Sequence, residues 1–224
     1  MQDLNLIQQL AVFVLPLIFA VTVHEAAHGW MADRLGDHTA RLAGRVTLNP
    51  LPHIDPMGTI VVPLALYALS VASGGGGFLF GWARPVPIDP RNFRNRRRDT
   101  ALTAIAGPGA NLLMMLGWAL VLRLAMHLGE GAAWVSVPLG YMALGGILIN
   151  GILMVLNLLP ILPLDGGRVL ASLLPPRLAI PYSRSEPWGL LILVGLLATG
   201  LLGPIMAPAL ALGQSLAYRL AGVL

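Results

Sequence analysis

His24, Glu25 and His28 stand together as His-Glu-x-x-His in the run VTVHEAAHGW. On a helix, residues four apart lie about 40° apart around the axis and roughly 6 Å along it, so both imidazoles can reach one cation. Glu25 falls between them in angle, close enough to take a proton from a water at the metal without being a ligand itself. Metalloproteases bind zinc and activate water with this pattern. A catalytic zinc takes three protein ligands and keeps one position open. The chain has no cysteine, so the third ligand must be His, Asp or Glu. His38 and His53 fall in loop-like stretches, His127 near a helix end, and Asp165 just after the helix-breaking run NLLPILPL. Charge favours Asp165. Two neutral imidazoles leave the +2 of zinc uncompensated, whereas an aspartate ligand and an ionised Glu25 bring the cluster close to neutral, which a low-dielectric site requires.

The elements that must position these groups are apolar. Of 224 residues, 56% are hydrophobic and only 11% charged, which a water-soluble surface does not permit. Stretches long enough to cross a bilayer, or nearly so, cover about residues 6–31, 101–126, 134–159, 187–202 and 204–222, with a further apolar run over 57–72. These features predict an all-α polytopic membrane protein of five to six transmembrane helices, forming one domain over 1–224. Its core would be 5–175, with additional C-terminal membrane helices in 187–224. Residues 40–48, ARLAGRVTL, alternate in polarity and predict a short membrane-associated β-ribbon, whose edge could hold an unwound substrate chain by strand addition. The opening MQDLNLIQQL carries no basic residue, so the first apolar segment is expected to be retained rather than cleaved as a signal peptide.

The net charge is +4, and every basic residue is arginine. Beside apolar segments this reads as a topology signal and contact with lipid headgroups, not as a nucleic-acid surface. Arg34, Arg41, Arg45 and the cluster Arg84, Arg91, Arg94, Arg96, Arg97 and Arg98 all fall between the first helix and the 101–126 segment. If Asp165 is to meet His24 and His28, the number of crossings between them must be even. Residues 57–82 therefore should not cross as a single span, and Pro63 with the glycines at 74–77 would permit a re-entrant or interfacial excursion. The arginine-rich side is then cytoplasmic, and the metal lies nearer that face.

At this point the residues resemble a known family, the site-2 proteases, in its compact bacterial type. His24-Glu25-Ala26-Ala27-His28 matches that family's first motif, and the run from Asn157 through Pro160, Pro163, Leu164 and Asp165 to Gly166-Gly167-Arg168 looks like its second. Gly44-Arg45, Leu48-Asn49-Pro50, His53, Asp55 and the run Ala106-Gly107-Pro108-Gly109-Ala110-Asn111 are similar to further elements of those proteins. The resemblance covers about residues 5–175 and implies an intramembrane zinc metalloendopeptidase, with Zn2+ on His24, His28 and Asp165 and Glu25 activating the water. It implies membrane-protein substrates, single-span ones first, cut in or near their transmembrane segments, and residence in the bacterial inner membrane. It also implies a role for Asn157 as oxyanion donor; the alternative is an amide that satisfies backbone where the helix breaks. His53 and Asp55 either line the active site or make a turn. The rival readings are a metal transporter, which would need more ionisable groups along its spans, and a catalytically inactive scaffold, which has no need of Glu25.

Overall fold

The computed structural model describes residues 6–62, 65, 81–128 and 130–224. Three long helices form its frame: α1 (Leu6–Leu35), α3 (Arg96–His127) and α4 (Ala133–Asn157), each long and apolar enough to cross a membrane. Between α1 and α3 lie a single helical turn, α2 (Thr39–Leu42), and short irregular turns at Leu51–His53, Pro56–Val61 and Pro90–Asn92. After α4 come α5 (Asp165–Leu173), α6 (Pro176–Ser183), α7 (Glu186–Ala198) and α8 (Leu202–Ala221).

The pattern of covered and exposed faces is consistent with a membrane protein. Phe13, Val14, Leu15, Leu17, Ile18 and Phe19 of α1 are exposed although large and apolar, as residues facing lipid would be. The inward faces meet through small residues. Gly146 of α4 leaves room for Trp118 of α3, since a Cβ there would fall 2.4 Å from the indole ring. Around that contact Met115, Ala119, Leu122, Ala143 and Ile147 pack with Ala217 and Ala221 of α8 into one core.

One expectation needs correction, and a second is met only in part. No strand occurs among the described residues, and 40–48 is the α2 turn followed by a tight bend in which Gly44 takes φ +66°. The polarity alternation there reflects Ala40 packing inward and Arg45 turning into the protein, not a pleated ribbon. Among the described residues three helices qualify as spans, or four if the bent pair α7–α8 counts as one, where five to six were expected over the whole chain. At 13 residues α7 is only about 20 Å long. It meets α8 at 88°, at a break where Gly200 adopts φ +73°. Most of the excursion expected over 57–82 lies outside the described residues. Its ends meet: Trp82 N donates to Gly58 O at 3.0 Å, and Thr59 Oγ1 donates to Trp82 O at 2.9 Å. Among the described residues, α3 and α4 are the membrane-length helices between the end of α1 and Asp165, the even count that the two motifs require.

Just past α1, fully buried Asp37 clasps the turn that leads into α3. Its carboxylate accepts from Asp89 N at 2.7 Å, Asn92 Nδ2 at 2.9 Å and Thr39 N at 3.1 Å. Burial opposes its ionisation, but the donors from Asn92, Thr39 and Asp89 outweigh that and hold its pKa below the ordinary 3.8. A carboxylate depressed in the folded state gives its full stability above the unfolded pKa and loses it as pH falls through the folded one. Asp37→Ala is expected to cost about 2 kcal/mol at neutral pH. Thermal unfolding in detergent should show the gap between wild type and variant narrowing below pH 3.8; a gap that stays constant from neutral pH to about pH 3 would contradict the clasp.

Candidate metal centre

α1 presents His24 and His28 one turn apart on its inward face, both 7% exposed, roughly 10–16 Å from its C-terminal end at 1.5 Å per residue. Their Nε2 atoms lie 3.1 Å apart, and each lies 3.3 Å from Asp165 Oδ2. Asp165 opens α5, where the unpaired N–H groups of a helix's first turn favour a negative charge. Asp165 and the two histidines are the group of side chains among the described residues that could hold a metal ion together. His38 instead pairs with Asp33 at 2.6 Å on the surface, His127 Nδ1 meets Arg123 O of its own helix, and neither joins the cluster.

The tautomers follow from acceptors whose nature is unambiguous. Gly146 O accepts from Asn150 Nδ2 at 2.8 Å, which turns Asn150 Oδ1 toward Asn111 Nδ2 at 3.0 Å. Asn111 Oδ1 therefore faces His24 Nδ1 at 2.6 Å, and the ring nitrogen must be the donor. His28 Nδ1 lies 2.7 Å from the carbonyl oxygen of Thr103 and must donate as well. Each neutral ring then carries a lone pair on Nε2. With both rings neutral, the short Nε2–Nε2 approach is not a hydrogen bond, because neither atom then carries a proton. Asp165 Oδ2, buried in the same space, likewise has no hydrogen-bond partner.

Three electron-pair donors without a proton among them repel unless a cation lies between them. Zinc bound at about 2.0–2.1 Å in a tetrahedron sets its ligands about 3.3 Å apart, and the observed separations are 3.1, 3.3 and 3.3 Å. The donor set suits Zn2+. Space for it depends on Gly107, where a Cβ would come within 2.3 Å of His28 Nε2 and 2.6 Å of His24 Cε1. Gly166 and Gly167 let α5 start against the loop before it, since a Cβ at either would strike the backbone of Leu158 or of Ile161. Arg97, near the start of α3, covers the far end of α5 by donating to Ser172 O at 3.0 Å, Leu173 O at 3.1 Å and Leu174 O. Those contacts fix the helix that carries Asp165.

Glu25 is half-buried beside the cluster. Its Oε2 accepts from Val86 N at 3.0 Å, which leaves Oε1 as its free oxygen. The segment carrying Val86 is itself held: Arg84 N donates to His53 O at 2.9 Å, and Arg45 donates to Arg84 O at 2.6 Å. Asn157 ends α4 and donates one amide hydrogen to Leu153 O at 3.0 Å, which leaves the second hydrogen available. His53 is 2% exposed and bonds Thr47 O through Nε2, while Asp55 accepts from Gly58 N at 2.6 Å as the cap of the 56–61 turn. The structure does not bring His53 or Asp55 into the ligand cluster. Sequence reading gave Thr103, Val86 and Asn150 no part, although an asparagine inside the apolar 134–159 run was the available signal for the last.

Comparison with known proteins points to zinc chemistry. The chain is 35% identical over 208 residues to YwhC of Bacillus subtilis, named as a zinc metalloprotease, across 92% of this chain and 89% of that one. It is 31% identical over 192 residues to Rip2 of Mycolicibacterium smegmatis, which carries the same designation, across 84% of this chain and 68% of that one. Rip2 of Mycobacterium tuberculosis is 28% identical over 180 residues. No protein-family model and no solved structure matches the chain.

Losing a partner behind a ligand histidine typically weakens metal binding 10–100-fold, so Asn111→Ala should raise the zinc dissociation constant by about that factor. Competition against a chromophoric chelator measures it; an unchanged constant would mean that the asparagine chain does not orient His24. Gly107→Ala should leave the purified protein helical by circular dichroism but largely zinc-free by elemental analysis, and a full equivalent of zinc would contradict the close approach. By its kinship with YwhC and Rip2, this chain belongs to a family of zinc metalloproteases and is a hydrolase that uses Zn2+.

Proposed function

We propose that the chain is an intramembrane endopeptidase of the site-2 protease type, cutting membrane-protein substrates, single-span ones first, in or near their transmembrane segments. The observation that carries this reading is the depth of the cluster. The histidines sit inside a membrane-length helix, and their carboxylate partner comes from a helix beyond two further membrane-length helices. Buried ionisable groups at such a depth are costly unless they serve a site. A metal transporter would need more of them along a path, and outside the cluster and Glu25 the ionisable residues of the described long helices lie near helix ends: Asp33 and Arg34 of α1, and Arg96, Arg97, Arg98, Asp99, Arg123 and His127 of α3.

His24 Nε2, His28 Nε2 and Asp165 Oδ2 would hold the zinc, which when bound supplies the Lewis acidity that makes water a nucleophile near neutral pH. Asn111 and Thr103 keep both imidazoles in the ligating tautomer. Glu25 Oε1 takes the proton of the attacking water as the new C–O bond forms, while Val86 N–H keeps Oε2 in place. Glu25 then delivers that proton to the departing amide nitrogen as the C–N bond breaks. The second amide hydrogen of Asn157 would serve the developing oxyanion. A helical substrate must be unwound before its carbonyl can be reached, since its backbone bonds are otherwise closed. We place the enzyme in the bacterial inner membrane, with the metal nearer the cytoplasmic face, because the arginines between α1 and α3 mark that side.

Glu25→Gln should retain a full equivalent of zinc and cleave single-span membrane peptides about 10²–10⁴-fold more slowly than wild type. Equal turnover by the two proteins in detergent or nanodiscs would remove the protease reading.

A further inference from the structure

A cavity of about 500 Å³ opens beside the Val86–Glu25 contact, lined by Ala43, Arg45, Pro52, Arg84, Pro85 and Pro87. Its two guanidinium groups differ in exposure: Arg84 is exposed, whereas Arg45 is only 8% exposed. Arg45 donates to Arg84 O at 2.6 Å and Pro85 O at 3.3 Å, but its buried Nε has no partner. Neither arginine forms an ion pair among the described residues. Burial and the neighbouring Arg84 charge both work against the Arg45 cation, and Glu25 is the carboxylate whose charge supports it. The prolines add no N–H donors, so the guanidinium groups dominate the polar chemistry of the wall. With Arg84 exposed and Arg45 almost buried, the lining brings two positive charges and no carboxylate to one space, which suits an anionic group.

The same stretch of backbone forms this wall and meets the proposed base. Val86 N–H binds Glu25, and the adjacent Pro85 and Pro87 line the cavity. A polypeptide whose carbonyl lies near Glu25 would therefore carry a neighbouring side chain past Arg45 and Arg84. We propose that this cavity binds the carboxylate of an acidic substrate residue flanking the cleaved bond, and so sets a sequence preference. This rests on the endopeptidase reading above. A lipid phosphate offers similar chemistry, but the contact with the base favours the substrate.

The test compares two single-span peptides that differ only in carrying Glu or Gln at positions flanking the cleaved bond, presented to the zinc-loaded protein in phosphatidylcholine nanodiscs. Wild type should prefer the Glu peptide by about 10-fold in kcat/KM, mainly through KM, a ratio equal to about 1.4 kcal/mol. Arg84→Gln should bring the ratio close to one, and Arg84→Lys should restore part of it. A wild-type ratio near one, or one that Arg84→Gln leaves intact, overturns the proposal. Repeating the comparison in phosphatidylglycerol nanodiscs separates the sources, and loss of the preference there assigns the cavity to lipid phosphate and overturns the substrate assignment. Peptide binding by zinc-loaded Glu25→Gln is measured in parallel. If wild type cleaves neither peptide, the endopeptidase reading fails on its own, while a Glu-over-Gln binding ratio sensitive to Arg84→Gln still supports the carboxylate site and its absence overturns it.

Discussion

Two imidazole Nε2 atoms and a carboxylate oxygen meet at 3.1–3.3 Å, and with neutral rings there is no proton among them to share. Neutral or negative donors do not converge in a low-dielectric interior unless a cation compensates them, because each has given up water to be there. The rest of the fold serves that convergence. α3 and α4 return the chain to the side where α1 ends; Gly107 leaves the gap the ion needs; Arg97 fastens the helix that begins with Asp165. The buried asparagine pair would be costly unpaired, yet here each amide is bonded and the chain of bonds ends by fixing which nitrogen of His24 faces His28 and Asp165.

A second set of contacts joins the loop region before α3 to α1. Asp37 holds the backbone of Asp89 and the side chain of Asn92, His53 O receives Arg84 N, and Val86 N reaches Glu25. Glu25, the proposed base, is thus placed from outside its own helix, by a segment between two prolines that have few backbone conformations to lose. Gly29 makes the approach possible, since a Cβ there would sit 3.2 Å from Val86 Cγ1 and 3.0 Å from Val46 Cγ2. The proposed carboxylate cavity lies along that same segment, so base and substrate wall would move together.

What was legible in the sequence was what is local or fixed by charge. His24, Glu25 and His28 declare themselves through helical spacing, and Asp165 through the need to balance a divalent cation; the structure brings the two histidines and Asp165 together. The bond from His24 to Asn111 spans 87 positions and that from Asn111 to Asn150 spans 39, and no spacing rule announces either. Residues 40–48 were misread because a short polarity alternation also arises when a helical turn and a bend each send one residue inward, as Ala40 and Arg45 do. Asp55 and His53 carry suitable chemistry but are engaged by a turn and by Thr47 O, a local competition that residue type does not reveal. Hydropathy does not register a bend, so the sequence could not show that α7 and α8 are separate helices set at 88°.

X-ray absorption spectroscopy at the zinc edge of the purified protein, alone and as Asp165→Ala, tests the central claim most directly. The geometry predicts a shell of two imidazole nitrogens with oxygen donors at about 2.0–2.2 Å, one of which is lost or replaced by water in the variant along with much of the zinc affinity. A wild-type shell without imidazole scattering, or one identical in Asp165→Ala at undiminished affinity, would contradict a metal held jointly by the first helix and that carboxylate.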